Sequence, residues 1–182
     1  MLYILSSGGL NQNLTITISQ IKQIVNELSM LFDFVLIDCP AGIDAGFKRA
    51  VSCADEAIVI TTPHLSSVRD ADKVVTILSS YGITNKRFVI NRARGDLIQD
   101  KVMIDVYDIG KILNIDFGGV IPEDDKIISA TSETIKNRKI ACNRAFDILT
   151  NNIIHNEKKL FDCTYKYRGL VGSIKKLLKR SV

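Results

Sequence analysis

Residues 57–91 read AIVITTPHLSSVRDADKVVTILSSYGITNKRFVIN. A short β-branched run opens this stretch and a second one closes it; each is too short for a helix and too uniformly apolar to have a wet face. Between the runs, Ile77 and Leu78 follow Val74 by three and four positions, which places all three on one helix face. The stretch therefore predicts a strand, a helix and a second strand, the repeating unit of a parallel sheet.

The same alternation continues along the rest of the chain. Further strand-like runs are LYIL (2–5), FVLID (34–38) and FGGVI (117–121). An apolar stripe at helical spacing is formed by Ile18, Ile21, Val25, Leu28 and Phe32. Two further helices are predicted, one that begins at Val106 with Asp105 as its N-cap and one over roughly 140–153. We predict an α/β fold in which a parallel sheet carries helices on both faces.

The composition is that of one ordinary globular domain. The chain has 182 residues, of which 46% are hydrophobic and 24% charged, so disorder over the whole length is excluded. No apolar run approaches the roughly 18 residues of a membrane-spanning helix, and the first residues lack the pattern of a secretory signal. The four cysteines match neither a zinc spacing nor a CxxC pair. These features predict a cytoplasmic protein with reduced thiols.

The net charge of +4 is located in the C-terminal segment, residues 169–182, which contain four basic residues and no acid. The remaining residues balance to zero, which argues against nucleic-acid binding. Apolar and basic side chains alternate at helical spacing in this segment, namely Leu170, Ile174, Lys175, Lys176, Leu177, Leu178, Lys179 and Arg180. We predict an amphipathic helix that binds an anionic membrane surface, with docking on the domain core as the alternative. Residues 1–153 would then form the α/β domain and 154–168 a linker.

Polar sequences follow four of the five strand-like runs, where ligands of open parallel sheets gather. The first is FVLIDCPAGID (34–44), in which Asp38 lies at the carboxyl end of an apolar run. A carboxylate in this position suits Mg²⁺, directly or through water, although an exposed turn residue would look the same. A phosphate-binding loop of the form GxxxxGK[ST] does not occur in the sequence. The only Gly-Lys pair is Gly110-Lys111, and Ile112 follows it where the motif requires Ser or Thr.

The combination of strand tips resembles the MinD branch of the deviant Walker A (ParA/MinD) ATPase family. The resembling stretches are DCPAGIDAGFKRAVSCADEAIVITTPHLSSVRDADKV (38–74), VINR (89–92), VIPEDDKI (120–127), ACNRAFDIL (141–149) and the basic amphipathic end. The resemblance covers essentially the whole chain, but the family's P-loop and its lysine have no counterpart. It implies a P-loop NTPase-like fold that is N-terminally truncated here, together with ATP and Mg²⁺ binding, homodimerisation and reversible membrane association that places the division septum.

The resemblance also implies roles for individual residues. Asp38 would be the Walker B aspartate, and the second switch would be formed by Pro40, Ala41 and Gly42. The adenine would be bordered by Asn91, Arg92, Pro122, Glu123 and Asp124. The septation inhibitor and the topological-specificity protein of the Min system would meet the chain near Arg69, Asp70 and Asp72. Read from the residues alone, Asn91 and Arg92 are ordinary polar strand ends, and an acid such as Asp70 near a helix start is favourable in any case.

The absence of a P-loop motif from the sequence determines what we expect for ATP binding and hydrolysis. Phosphoryl transfer depends on positioning and charge stabilisation that the loop amides and lysine supply. We therefore expect the 182-residue chain alone neither to bind nor to hydrolyse ATP appreciably. The leading hypothesis is a division-site ATPase of this family at the inner face of the cell membrane. The alternatives are a non-catalytic membrane-surface adaptor, a gene remnant, or a chromosome-partition or flagellar-number relative.

Overall fold

The computed structural model describes residues 2–6, 16–124, 141–169, 172 and 174. The chain forms two compact units, Met1–Asp55 and Glu56–Val182. Among the described residues, no helix combines the length and the apolar character needed to cross a membrane.

The first unit contains two helices, α1 (Ile18–Ser29) and α2 (Ala45–Val51). Thr17 and Gln20 form a capping box at the start of α1, in which the side chain of each accepts from the backbone N–H of the other. Asp44 caps α2 by accepting hydrogen bonds from the N–H groups of Gly46 and Phe47, at 2.8 and 3.3 Å. Four residues of the predicted apolar stripe, Ile18, Ile21, Val25 and Leu28, lie in α1, whereas Phe32 lies beyond its end, and no residue of α1 is buried.

The runs at residues 2–5 and 34–38, predicted as strands, are not strands. Both lack hydrogen bonding to a sheet among the described residues, and Leu2, Ile4, Leu5, Phe34 and Leu36 are all exposed. The physical reason is that a strand is defined by its neighbour, because its N–H and C=O groups need partners on an adjacent chain segment. An apolar β-branched run favours an extended conformation, but it does not determine whether an adjacent strand is present.

The second unit is built on a three-stranded parallel sheet in the order β1-β2-β3, which confirms the predicted α/β class. The strands are β1 (Glu56–Thr61), β2 (Asn85–Ala93) and β3 (Asp116–Pro122). The helices are α3 (Leu65–Ser80), α4 (Gly95–Gln99), α5 (Val106–Leu113), α6 (Ala141–His155) and the 3₁₀ turn η1 (Tyr165–Tyr167). The predicted cap at Asp105 is confirmed, since its carboxylate accepts a 2.8 Å hydrogen bond from the Tyr107 N–H.

Helices pack on both faces of this sheet, although one face of β1 remains exposed. On one face, α3 and α5 pack together, and Phe88 lies beside α5 at Gly110. On the other face, Val89 and Ile121 pack against α6 in a buried cluster with Cys142 and Ala145. Successive strand residues alternate between these faces, so β2, which is covered on both sides, is apolar on both sides. The prediction that the run at 57–61 has no wet face is wrong, because β1 is an edge strand and its face bearing Ile58 and Ile60 is exposed.

Residues 156–168, here named the strap, return along the second unit after α6. Asn152 is fully buried; its amide donates to the carbonyl oxygens of Gly118 and Lys159, both at 2.8 Å, and accepts from the Lys159 N–H at 3.0 Å. Farther along the strap, Phe161 packs against the cluster beneath α6, and Cys163 and Tyr167 are buried. These contacts are absent from the sequence-based interpretation of residues 154–168 as a linker.

Candidate functional site

The candidate site lies at the carboxyl ends of β2 and β3. The pairing of these strands shifts register between Ile90 and Ala93, so the two residues between them leave the ladder and have exposed side chains. Arg92 adopts a left-handed backbone with φ of 56°, and its N–H donates to Asn91 Oδ1 at 2.9 Å. A short side chain that bonds to the adjacent backbone is one way to support a conformation that non-glycine residues disfavour. The local bulge turns both side chains out of the sheet edge.

An ion pair joins the ends of the two strands. Arg92 donates from Nε and from a terminal guanidinium nitrogen to Glu123 Oε1, at 3.0 and 2.8 Å. The Glu123 N–H donates to the Ala93 carbonyl at 3.1 Å, and Pro122 pairs with Ala93 at the end of the ladder. Glu123 is half-buried, as are Pro122 and Asp124. The structure therefore brings together the residues that the resemblance assigned to the adenine side.

A second ion pair lies directly behind the first, and the sequence analysis did not single it out. Arg94 donates to both carboxylate oxygens of the buried Asp96, at 2.6 and 3.3 Å. The hydrogen bonds that Arg94 donates to Asp96 raise the pKa of Arg94 above its ordinary value. A buried carboxylate costs several kcal/mol unless it is paired, so this contact fixes the start of α4 just beyond Arg92. In the sequence, the signal that could have identified this ion pair is the charged string NRARGD (91–96), which begins at the end of β2.

Asp38 belongs to the first unit, where it is exposed, as are Pro40, Ala41 and Gly42. Gly42 has φ of 96°. Burial, followed by the negative charges of Asp38 and Asp44, raises the pKa of the Cys39 thiol. No group of three or more His, Cys, Asp or Glu suited to a metal ion occurs among the described residues. Protein side chains near Asp38 thus offer Mg²⁺ fewer than three ligands, and further ligands would have to come from water or a phosphate.

The residues predicted to meet partners lie on α3 and are exposed. Asp70 pairs with Lys73 at 3.0 Å on the helix surface, and Arg69 and Asp72 point to solvent. Val68, Ala71, Val75 and Leu78 form the buried face of the same helix. Asp72 also borders a shallow groove of about 720 Å³ between α3, α5 and the amino ends of β2 and β3. The helix thus presents a charged face that its own unit leaves uncovered.

Most of the predicted membrane-binding residues lie outside the described part of the chain. These are Leu170, Lys175, Lys176, Leu177, Leu178, Lys179 and Arg180. Ile174 is described and is 59% exposed. The start of the C-terminal segment is fixed in one respect: a methyl group at Gly172 would overlap the Tyr167 carbonyl, so the backbones of Gly172 and η1 lie in direct contact.

Comparison with known proteins gives consistent relatives, although no protein-family model matches the chain. A putative septum site-determining protein MinD from Chlorella vulgaris is 36% identical over 164 residues, covering 87% of this chain and 58% of the relative. The MinD of the Aquifex aeolicus MinC:MinD cell division complex superposes with a TM-score of 0.73 at 33% identity, covering 80% of this chain and 61% of that one. The septum site-determining protein MinD of Pyrococcus horikoshii, complexed with Mg-ADP, gives a TM-score of 0.65 at 26% identity, covering 76% and 57%. The chain thus spans somewhat more than half the length of the relatives it matches.

Proposed function

Because this chain belongs to the MinD family of septum site-determining proteins, we propose that it takes part in placing the division septum at the inner face of the cell membrane. The observation that carries the proposal is the polar edge at the ends of β2 and β3, where Asn91 projects outward and Arg92 is held against Glu123. The arrangement occurs in a chain related to MinD over most of its length. The whole role involves a nucleotide, a partner and a membrane, and each is a separate proposal.

The proposed nucleotide site has two parts, one that would contact the base and one that would contact the phosphates. On the base side, the residues fit: Asn91 and the Arg92–Glu123 pair offer hydrogen-bonding groups at an exposed edge, with Pro122 and Asp124 beside them. On the phosphate side, the fit fails, since the sequence contains no GxxxxGK[ST] loop. When bound, Mg-ATP would supply a transferable phosphoryl group. The second unit would border the base, and the metal-binding role of Asp38 is a proposal for the first unit by itself; no hydrolytic step follows from the residues of this chain.

A titration with ATP and Mg²⁺ tests this division. We expect no saturable binding in the micromolar range and no release of phosphate, because the loop amides and lysine that stabilise phosphoryl transfer are absent. Any weak binding should decrease in Arg92→Ala and remain unchanged in Lys111→Ala, which removes an exposed cation from α5. Saturable micromolar binding by the unaltered chain would contradict the proposal.

The partner proposal places the contact on α3. The Aquifex aeolicus relative is a MinC:MinD complex, and the charged face formed by Arg69, Asp70 and Asp72 is the part of this chain offered to the septation inhibitor or the topological-specificity protein. Charge reversal at Arg69 should slow association and weaken binding to MinC, since charged residues at the edge of an interface steer encounter. Arg69→Glu is to be compared with Lys111→Glu, an equally exposed reversal on α5. Equal binding by both variants would refute the assignment to α3.

The membrane proposal concerns residues 169–182. Their four cations and apolar residues would hold the chain at an anionic surface, each cation contributing about 1 kcal/mol. Deletion of residues 169–182 should abolish sedimentation with vesicles containing phosphatidylglycerol. The binding should not depend on ATP, because the phosphate side of the site is missing.

The exposed charged face of α3 favours a second candidate function, a non-catalytic adaptor that acts through partner and membrane contacts. Vesicle binding and MinC recruitment without any response to ATP would favour the adaptor. Sedimentation that appears only with ATP would favour a nucleotide-gated division ATPase.

A further inference from the structure

The turn η1 presents one tyrosine outward and one inward. Tyr167 is buried at the strap, whereas Tyr165, two residues earlier, is 76% exposed. An exposed tyrosine combines a large apolar ring with a polar tip, the property that enriches this residue at membrane–water interfaces. The position of Tyr165 is set by the packing beneath it and not by contacts of its own ring with a core.

Backbone contacts and hydrogen bonds of the strap position η1 against α4 in the second unit. A methyl group at Gly95 would overlap the Cys163 carbonyl, so the first turn of α4 lies flush against the strap backbone. Asp162 accepts from both the N–H and the hydroxyl of Thr164, at 3.0 and 2.7 Å, and pairs with Arg168 at 2.9 Å. A group that is already ordered loses little conformational entropy when it binds. Tyr165 is therefore preorganised for contact with a surface.

The C-terminal segment starts from the same place. Gly169 lies two residues beyond Tyr167, and the backbone of Gly172 touches the Tyr167 carbonyl. Ile174, the next described residue, is exposed, as is Tyr165. Two exposed side chains with apolar atoms, Tyr165 and Ile174, thus occur among the described residues of this region. Because Gly172 touches η1 and Ile174 follows two residues later, a membrane that receives Ile174 would lie close to η1.

Charge continues across the same boundary. Lys166 is exposed and lies over the Tyr167 ring, 5.1 Å from its centroid. Arg168 is exposed as well, although its charge is partly offset by Asp162. Lys166 therefore adds one exposed cation to the four in residues 169–182 and is the neighbour of Tyr165 in sequence.

We propose that Tyr165 and Lys166 of η1 form a second lipid-contacting element, which enters the headgroup region of an anionic bilayer together with the C-terminal segment. The inference rests on the proposed membrane association and adds to it a site on the folded domain. A single short amphipathic helix binds a bilayer weakly, and stable attachment generally takes two signals. The η1 element supplies the second signal and fixes which side of the domain faces the lipid.

The absence of tryptophan from the chain allows a direct test. Three single-tryptophan variants would be prepared from the full chain: Tyr165→Trp, Ile174→Trp and Tyr107→Trp. Tyr107 is the matched control, because it is 71% exposed and lies on α5. Each variant is titrated with vesicles of phosphatidylglycerol and phosphatidylcholine while tryptophan emission and sedimentation are recorded. We expect a blue shift at positions 165 and 174 and none at 107.

The outcomes separate the two proposals. A shift at 174 without one at 165 would overturn the η1 element and leave the proposed membrane association standing. No shift at any position and no sedimentation would overturn both. A shift at 107 equal to that at 165 would indicate non-specific adsorption and overturn the η1 assignment. A blue shift at 165 that grows with protein concentration without vesicles would assign η1 to contact between copies of the chain instead.

Affinity provides a second measurement on the same vesicles. Lys166→Gln should lower the partition coefficient about fivefold at low salt, the effect of one cation near an anionic surface. Tyr165→Ser should also lower it, whereas Tyr107→Ser and Lys111→Gln should not. Unchanged partition in both η1 variants, with normal urea unfolding, would refute the proposal.

Discussion

Asn152→Ala tests whether the strap is held by a single buried side chain. The amide of Asn152 makes three hydrogen bonds, which join α6 to the edge of β3 through Gly118 and to the strap through Lys159. Alanine keeps the helix, so the change removes these bonds with little effect on helix propensity. Of the three groups left behind, the Gly118 carbonyl belongs to a buried residue.

The expected loss of stability follows from the three bonds. A hydrogen bond contributes about 1 kcal/mol net to stability, and a buried polar group left without a partner costs about 1–3 kcal/mol. Lys159 is exposed, so water can replace the bonds to its backbone in part. We therefore expect the free energy of unfolding of the second unit to fall by about 3 kcal/mol.

Urea unfolding followed by circular dichroism measures this change, and hydrogen exchange locates it. The amide of Lys159 should lose protection first, and strap amides near Cys163 should exchange faster than those of β2. Asn151→Ala is the matched control, because Asn151 precedes Asn152 in α6 and its side chain is exposed. A loss below about 1 kcal/mol, or equal losses in both variants, would refute the idea that Asn152 latches the strap.

Further predictions concern the strap seam, the thiols and acid stability. Gly95→Ala should displace the strap and raise hydrogen exchange at Cys163 and Thr164, whereas Gly110→Ala, whose added methyl would meet only the Phe88 ring at 3.4 Å, should leave exchange there unchanged. Burial, followed by the charge of Asp162, raises the pKa of Cys163 to about 11, so this thiol should react with a disulfide reagent at pH 8 only after unfolding. Asp38→Asn should speed labelling of the exposed Cys39, because one of the charges that raise its pKa is removed, while Asp55→Asn should not. Although burial alone would raise the pKa of Asp162, hydrogen bonds from Thr164 and the charge of Arg168 lower it below the ordinary value, so its stabilisation is present above about pH 4 and is lost as the pH falls through the folded-state value. Acid unfolding of Asp162→Asn should lack this component, and an unchanged pH profile would contradict the assignment.

The sequence by itself determined the elements whose signals are local. The run at 57–61, the helix at Val74, Ile77 and Leu78, and the cap at Asp105 each depend on neighbours within a few positions, and the structure confirms these elements. The buried face of that helix passes through Val75 and Leu78, whereas Val74 and Ile77 are half-buried. The strand ends at Arg92 and Glu123 were predicted to converge because parallel strands bring their carboxyl ends to one edge. The ion pair between these two residues is the consequence.

Tertiary structure decided what depends on a partner distant in sequence. The runs at 2–5 and 34–38 have the composition of strands but lack an adjacent strand among the described residues. Asn152 looks like any polar residue of a helix until the strap brings Lys159 to its amide, and Gly95 becomes necessary only because Cys163 lies against it. Composition and spacing encode which backbone conformation a segment prefers. They do not encode which other segment will satisfy its polar groups, because that choice is made by packing over the whole unit.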